Sequence, residues 1–276
     1  MAVYNTKFIK DILSIDERIL KFAILIRYWA SRQKLSGSIV EGGGLAVSNY
    51  ALTMMIIFYL QCENILPPVK KLQENLSDEE SIVIDGWQFG YNKTYAENIK
   101  DYTNEHSEWK WKSWLHRFFY FYLSFSYEDL VLSPYAGRAI PRTSFQKLAL
   151  SLNKVKGQPL PTATNVDESS ISEGLRLYWN RLKDGNSNLL CLSARLCIQD
   201  PFELNYCVSK RLNRVGLLNW KNICLASMQH LENELFFKRG ILDIFQNTCV
   251  PPRNKMEQGR IITKIQSVIE SEKKVS

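Results

Sequence analysis

A short acidic turn carries the residue types best suited to chemistry in this sequence. Residues 200–203 are Asp-Pro-Phe-Glu, so two carboxylates flank a proline whose ring fixes its own φ and which has no N–H to donate. Such a turn would present two hydrogen-bond acceptors and one aromatic ring, and the acceptors suit the donor groups of a nucleobase. The same residues are typical of a capped helix start, where Asp and Pro are both frequent. The turn alone leaves both interpretations open.

The flanking residues predict the elements that must hold this turn. An apolar run at 189–197 predicts an approach strand, and the sequence at 208–212 predicts a helix start. We expect the helical stretch to continue to residue 231 with an interruption at Gly216, because glycine is a weak helix former. A short helix at 236–245 and an amphipathic tail at 261–269 are expected to follow.

Three helices are predicted before residue 62. Apolar side chains spaced by three and four residues indicate the first at 5–15, and Asp16 with Glu17 predicts the acidic start of the second. The third, at 46–61, is apolar on nearly every side and so indicates a buried central helix, with Tyr50 in its first turn where it can face a cleft. A glycine run at 42–44 precedes it. Such a run can cradle phosphate, although the Lys-Ser/Thr continuation of a P-loop is missing.

Short strands and one aromatic helix are predicted in the middle of the chain. A strand and turn are expected at 81–87, a polar loop at 91–108, an aromatic helix at 109–125 and a strand entering a turn at 130–138. The mostly polar residues after 146 predict an insertion with one amphipathic piece at 174–182. Together these patterns indicate an α+β fold that is mostly helical with a few short strands.

Composition narrows the class of protein and of partner. The net charge of +7 over 276 residues favours a polyanionic partner such as a nucleic acid, a nucleotide or a membrane surface. The longest apolar run, at 51–60, is too short to span a bilayer, and the first residues do not form a signal peptide, so no membrane partner is expected. Six Cys without Cys-x-x-Cys spacing and only three His predict free, mostly buried thiols rather than a zinc site.

The ordered set of motifs resembles the central and poly(A)-polymerase-associated (PAP-associated) part of the non-canonical poly(A) polymerases and terminal uridylyltransferases. These enzymes belong to the DNA polymerase β-like nucleotidyltransferase superfamily. The resemblance covers residues 2–235 apart from the insertion. It rests on an Asn-Thr pair at 5–6, Asp-Glu-Arg at 16–18 with Ile-Arg-Tyr-Trp-Ala at 26–30, Val-Ser-Asn-Tyr-Ala-Leu-Thr-Met-Met at 47–55, Leu-His-Arg followed by aromatic residues at 115–122, and the Asp-Pro-Phe-Glu turn.

The resemblance implies a division of the chain. It assigns a central helical, nucleotide-binding region to 1–110, a PAP-associated segment to 111–146, a polar insertion to 147–188, the acidic turn with its closing helix to 189–235, and C-terminal helices and tail to 236–276.

The resemblance also implies roles for residues in the first half of the chain. Asn5 and Thr6 take the place of the pair that contacts the ribose hydroxyls. Tyr50 takes the place of the tyrosine that stacks on the base, and Asn49 stands where a serine usually touches phosphate. In the family, two lysines on the second helix hold the triphosphate. Arg27 takes the place of one and keeps the charge, whereas Ser31 takes the place of the other and loses it.

In the second half, the resemblance places the base edge against the acidic turn. Asp200 would accept hydrogen bonds from the base directly or through water, with Glu203 in support, and Lys210 takes the place of a later basic residue. Tyr206 departs from the family, because uridylyltransferases often have a histidine there that helps to choose uracil over adenine. The choice between UTP and ATP therefore stays open.

The second departure concerns the metal ions. The family performs phosphoryl transfer with two Mg²⁺ (or Mn²⁺) ions held by three carboxylates of a palm domain, which carries a Gly-Ser and an Asp-x-Asp motif. The only Gly-Ser here, at 37–38, has no Asp-x-Asp after it. The sequence therefore predicts no catalytic residue, no metal ligand, and a palm sheet that is absent or incomplete.

Three kinds of protein remain compatible with the sequence. The chain is the nucleotide-binding half of an enzyme that adds uridylyl or adenylyl groups from UTP or ATP to RNA 3′ ends, or a pseudoenzyme that binds nucleotide or RNA, or an interaction module. The first would need a palm supplied elsewhere, such as a separate palm-bearing chain. The expected partners are an RNA 3′ end and a ribonucleoside triphosphate. The expected location is cytoplasmic or nuclear, and a mitochondrial location stays open.

Overall fold

The computed structural model describes residues 1–37, 44–93, 111–155, 171–185 and 188–232. Within these ranges the chain is mostly helical and has three two-stranded sheets, as the α+β prediction requires. The helices are α1 (Ala2–Leu13), α2 (Glu17–Arg32), α3 (Asn49–Cys62), α4 (Val69–Leu72), α5 (Trp111–Ser124), α6 (Arg142–Val155), α7 (Glu173–Lys183) and α8 (Arg214–Glu232). The strands are β1 (Ser36–Gly37), β2 (Val47–Ser48), β3 (Val83–Ile84), β4 (Trp87–Gln88), β5 (Leu130–Ser133) and β6 (Arg138–Pro141).

Helix α3 is the buried centre that its apolar sequence predicts. Every residue from Ala51 to Gln61 is buried, so the helix is surrounded by other elements on all sides. Its first turn is fixed by Ser48, whose hydroxyl accepts a hydrogen bond from the backbone N–H of Ala51 at 3.0 Å. This cap fixes the first turn of α3, which carries Asn49 and Tyr50.

Helices α2 and α5 pack against α3 through aromatic contacts, and α8 packs against α2 and α5. The Phe118 ring of α5 meets Tyr59 of α3 edge-on at a centroid distance of 5.3 Å, and the Tyr122 hydroxyl donates to the Met55 carbonyl at 2.6 Å. Trp29 of α2 contacts Trp220 of α8 at 5.6 Å. The predicted aromatic helix is thus a core element, and Asp16 caps the start of α2 as predicted.

Two hairpins connect the helices. Strands β3 and β4 pair antiparallel around Asp85 and Gly86, which both have positive φ (50° and 74°), the conformation of a tight two-residue hairpin turn. Strands β5 and β6 pair antiparallel over four residues each. Both hairpins confirm the strand and turn predictions at these positions, whereas β1 and β2 form a short parallel pair that the sequence did not indicate.

The predicted approach strand at 189–197 is wrong. This segment is irregular, and regular pairing is limited to single bridges, from Ile198 to Leu132 and from Gln199 to Cys207. Several of its carbonyls accept from side chains, whereas the Cys197 carbonyl accepts from the backbone N–H of Leu132 in β5. The buried Arg142 guanidinium donates to the carbonyls of Leu192 and Ala194. A remote arginine therefore fixes the shape of the approach to the acidic turn.

The predicted helix start at 208–212 is also wrong. Helix α8 begins at Arg214, because the Asn213 side chain accepts from the backbone N–H of Gly216 at 2.8 Å and so caps the helix there. Gly216 does not interrupt α8. A Cβ at that position would lie 2.7 Å from the Gly44 carbonyl oxygen and 2.8 Å from that of Leu45, so glycine permits a close approach between α8 and the segment before α3.

Helix α6 runs across residue 147, where the polar insertion was predicted to begin. The amphipathic piece predicted at 174–182 is helix α7. The glycines at 42–43, the loop at 94–108, residues 156–170, the helix at 236–245 and the tail at 261–269 lie outside the described residues. Cysteines 62, 191, 197, 207 and 224 are free thiols, and three of them are buried. None of the described helices is long and apolar enough to cross a membrane.

Candidate functional site

The acidic turn is closed by its own hydrogen bonds. One carboxylate oxygen of Asp200, Oδ1, accepts from the backbone N–H groups of Phe202 and Glu203 at 2.9 and 3.0 Å. The backbone N–H of Asp200 donates to the Tyr206 carbonyl at 2.9 Å, and the N–H of Tyr206 donates to the Glu203 carbonyl at 2.8 Å. Asp200 thus organises the turn locally, as the capped interpretation of the sequence proposed, although no helix follows it directly.

Two buried polar residues attach the turn to the body of the protein, and the sequence did not single them out. The Gln199 side chain accepts from the Ser133 hydroxyl at 2.6 Å and donates to the Leu204 carbonyl at 2.8 Å. The Ser209 hydroxyl donates to the Leu196 carbonyl at 2.6 Å. Their only signal in the sequence is a position next to the motif, since their partners lie in other segments.

Phe202 points into the protein, so the expectation that the turn presents an aromatic ring is wrong. Its ring is 2% exposed and contacts the Phe8 ring of α1 edge-on at 5.1 Å and the Phe89 ring, stacked, at 5.2 Å. This contact holds the turn against α1 and against the segment that follows the β3–β4 hairpin. Phe202 therefore anchors the acidic turn to the protein core and does not form part of its exposed surface.

A hydrogen bond joins the acidic turn to the start of α3. The Tyr50 hydroxyl donates to the second carboxylate oxygen of Asp200, Oδ2, at 2.8 Å. Asp200 is 1% exposed, and both of its carboxylate oxygens accept hydrogen bonds from protein donors. Burial raises the pKa of Asp200, and its three hydrogen bonds oppose that shift without cancelling it. Burial and then the Asp200 charge raise the pKa of Tyr50 far above its ordinary value, so Tyr50 stays a donor.

Asn5 of α1 completes this cluster. Its side chain is hydrogen-bonded to Tyr50, whereas its amide oxygen, Oδ1, is buried and has no hydrogen-bond partner. A buried acceptor without a donor is costly, so it is a natural contact for a hydroxyl group of a ligand. The neighbouring Thr6 is exposed, and its hydroxyl donates to the Ala2 carbonyl at 2.9 Å.

The outer margin of the turn carries three more of the predicted residues. Glu203 is partly buried, and burial followed by the nearby Asp200 carboxylate raises its pKa. Tyr206 is 42% exposed, and the Lys210 ammonium lies 4.8 Å from the centre of its ring, within range of a cation–π interaction. This margin is open to solvent, unlike the Tyr50–Asp200 contact beneath it.

The predicted phosphate contacts are exposed and separate from that cluster. Arg27 and Ser31 lie one turn apart on α2, and both side chains are exposed. Asn49 is exposed at the start of α3, where its carbonyl accepts from the Thr53 hydroxyl at 2.8 Å. The described contacts do not connect these three residues to Tyr50 or Asp200, so their roles stay predictions.

A divalent metal ion does not fit the described residues. In the described ranges, no group of three or more His, Cys, Asp or Glu side chains is placed so that it could hold one. Asp200 and Glu203 are the carboxylates of the cluster, and the Asp200 oxygens are already occupied by protein donors. The described part of the cluster therefore offers no set of free carboxylates for a divalent ion.

The amino-acid sequence was compared with family models and with curated proteins. No family model matches the chain. The Speckle targeted PIP5K1A-regulated poly(A) polymerase of Xenopus tropicalis is 30% identical over 229 residues, which cover 82% of this chain and 22% of the relative. The chain thus spans only about a fifth of the length of this curated relative.

Solved structures share the fold. A crystal structure of an mtPAP mutant in complex with ATPγS has a TM-score of 0.58 at 18% identity and covers 85% of this chain and 41% of that one. A cytoplasmic RNA terminal U-transferase has a TM-score of 0.55 at 18% identity, covering 91% and 64%. This chain is therefore a homologue of poly(A) polymerases, and it shares its fold with the solved mtPAP and RNA terminal U-transferase structures.

Proposed function

We propose that this chain is the nucleotide-binding part of an RNA terminal nucleotidyltransferase, which transfers uridylyl or adenylyl groups from UTP or ATP to the 3′ end of RNA. The observation that carries the proposal is the 2.8 Å hydrogen bond between Tyr50 and Asp200. It joins residues that are 150 positions apart and that the resemblance assigns to the same base. The similarity to a poly(A) polymerase and to an RNA terminal U-transferase supports the same activity.

Each residue of the cluster has a task in this proposal. The Tyr50 ring stacks on the base, and Asp200 fixes the direction of that ring because it holds the hydroxyl. Glu203, at the solvent margin, accepts a hydrogen bond from a donor on the base edge. The buried Asn5 oxygen accepts from a ribose hydroxyl, which would give it the partner that it lacks.

Two side chains of α2 would hold the triphosphate. Arg27 of α2 supplies a charge that a phosphate oxygen can meet through more than one hydrogen bond, while Ser31 can donate only one. Thr6, Asn49 and Lys210 are assigned to the rim of the bound nucleotide. Mg²⁺ or Mn²⁺ ions neutralise the charge of the transferred phosphoryl group in this class of reaction, and we assign their carboxylate ligands to a palm outside residues 1–276.

Nucleotide binding tests the proposal directly. Calorimetric titration of the chain with UTP and with ATP should show weak binding that Tyr50→Ala abolishes. Tyr50→Phe keeps the ring and loses the hydroxyl, so it should retain part of the affinity. Tyr120→Ala, at a tyrosine that is 58% exposed on α5, is the control. Equal affinity of the wild-type chain and the Tyr50→Ala variant would reject the stacking role.

Primer extension tests the assignment of the metal ligands. A labelled RNA primer, incubated with the chain, Mg²⁺ and each ribonucleoside triphosphate in turn, should stay unextended, because our proposal assigns the palm carboxylates to a part outside residues 1–276. Extension of the primer would show that the chain holds its own metal ions.

A further inference from the structure

An exposed basic segment extends from the margin of the acidic turn to the start of α8. Lys210, Arg211 and Arg214 are all exposed, and Tyr206 lies beside them with 42% of its surface accessible. We call these four residues the basic ledge. The buried residues Cys207, Ser209 and Leu212 lie between them, so the core anchors the chain while the cations are exposed to solvent.

Hydrogen bonds to two other segments fix the chain of the basic ledge. The N–H of Val208 donates to the Ile198 carbonyl at 3.0 Å, and the Ser209 hydroxyl donates to the Leu196 carbonyl at 2.6 Å. The N–H of Asn213 donates to the Gly44 carbonyl at 2.8 Å. A ligand would therefore meet cations whose positions are already set, and it would not have to order a loop.

Among the residues that the structure describes, no carboxylate is seen in an ion pair with a cation of the basic ledge. Lys210 instead lies over the Tyr206 ring. Three cations in five residues create a local positive potential that attracts a polyanion.

The aromatic ring indicates which polyanion fits. A surface that binds single-stranded nucleic acid combines cations for the phosphates with an exposed ring on which a base can stack. An acidic peptide or a membrane surface would use the charge and would gain little from Tyr206. The position of the ledge also matters, because Tyr206 borders Glu203 and the proposed base site.

We propose that the basic ledge binds the single-stranded stretch of RNA that leads to the 3′ end, with Arg211 and Arg214 on phosphates and Tyr206 against a base. This rests on the proposed function, and it assigns the RNA to a surface distinct from the buried Tyr50–Asp200 contact. Arg211 and Arg214 take no part in the proposed nucleotide site, so RNA and nucleotide affinity can be separated.

The test measures fluorescence anisotropy of labelled oligo(U) and oligo(A) against the chain of residues 1–276 across a range of salt concentrations. The double variant Arg211→Gln with Arg214→Gln should weaken RNA binding and reduce the slope of log K against log[salt] by about 1.4, since each phosphate contact on a single strand contributes about 0.7. Tyr206→Ala should weaken binding by about tenfold and leave the slope unchanged, because stacking involves no counterion release.

A charge-matched control separates the ledge from net charge. Arg138→Gln with Lys147→Gln removes the same two charges from exposed positions on β6 and α6. It should change RNA affinity and its salt slope far less. Equal effects of the two double variants would overturn the proposal, and so would a poly(Glu) peptide that binds as tightly as the RNA.

Calorimetry with UTP and ATP keeps the two proposals distinguishable. The Arg211→Gln, Arg214→Gln variant should bind nucleotide as the wild type does. Loss of nucleotide binding in this variant would overturn the separate RNA surface. RNA binding with the expected salt slopes, but no nucleotide binding by the wild type, would leave the ledge intact and reject the proposed nucleotide site.

Discussion

The acidic turn and the outer face of α2 are the two sides of the proposed nucleotide site, and they differ in how far the protein itself fixes them. Asp200 and Phe202 are buried and bonded or packed within the protein. Arg27 and Ser31 are exposed, and no contact with the turn holds them. The base side is thus built before any ligand arrives, whereas the phosphate side relies on the ligand to order it. Substitutions on the two sides should therefore affect different quantities.

The largest effect is expected at Phe202. Phe202→Ala removes a buried ring that contacts Phe8 and Phe89, so the free energy of unfolding should fall by about 3–5 kcal/mol. Urea denaturation followed by circular dichroism measures this loss. Tyr206→Ala, an exposed aromatic residue of the same turn, is the control and should change stability by no more than about 0.5 kcal/mol. Equal losses would show that the base side is not held by its buried ring.

Asp200→Ala should have the next largest effect on stability. It leaves two backbone N–H groups and the Tyr50 hydroxyl without their acceptor. Each buried donor without a partner costs about 1–3 kcal/mol, but removal of the carboxylate also removes the cost of burying its charge, so we expect a net loss of roughly 2–4 kcal/mol in the same denaturation experiment. Asp200→Asn keeps an acceptor oxygen and should lose less. If Asp200→Ala is as stable as the wild type, the turn does not depend on this carboxylate.

The raised pKa of Asp200 predicts a pH dependence that is confined to the base side. The folded state binds the Asp200 proton more readily than the unfolded state, so this contribution to stability is complete below the ordinary pKa of about 3.9 and is lost as pH rises through the folded pKa. The difference in unfolding free energy between the wild type and Asp200→Asn should therefore shift against the wild type as pH increases from about 4. Thermal denaturation at several pH values measures it, with Glu79→Gln at an exposed position as the control. A constant difference would contradict the raised pKa.

The smallest effect on stability is expected on the phosphate side. Arg27→Gln should change the free energy of unfolding by less than about 0.5 kcal/mol, because the side chain is exposed. It should nevertheless weaken UTP or ATP binding by about tenfold, the scale of one lost hydrogen bond to a charged group. Ser31→Lys sharpens the comparison, since it restores a second cation and should strengthen triphosphate binding. Calorimetry with UTP and with uridine separates phosphate contacts from base contacts.

The two sides also differ in how well the sequence predicts them. The helices α2, α3 and α5 and their buried faces follow from apolar spacing, because burial decides the structure of long periodic segments. The approach to the acidic turn did not follow, since its carbonyls are satisfied by Arg142, which lies about 50 residues earlier in the chain. The start of α8 was displaced for a similar reason, because the Asn213 side chain caps it. Hydrogen bonds from single remote side chains leave no periodic pattern in the sequence.

The site shows the same limit. Asn5, Tyr50 and Asp200 were selected together only because the ordered motifs resemble a family, and the structure brings their side chains into one cluster. The direct bond from Tyr50 to Asp200 and the inward direction of Phe202 could not be read from spacing, since their partners lie far away in the chain. Exposed residues such as Arg27 and Asn49 carry no packing constraint, so neither sequence nor structure fixes where they will meet a ligand.

The hydrogen bonds of the Arg142 guanidinium also bear on whether this region could pair with a strand of another protein chain. A regular strand at 189–197 would have lengthened the β5–β6 hairpin and left an open, apolar edge with unpaired backbone groups, which is a template for aggregation. Because Arg142 occupies the Leu192 and Ala194 carbonyls, pairing at this side of the hairpin stops at the single bridge between Leu132 and Ile198. One buried guanidinium thus takes up carbonyls that a strand at 189–197 would have exposed along a sheet edge.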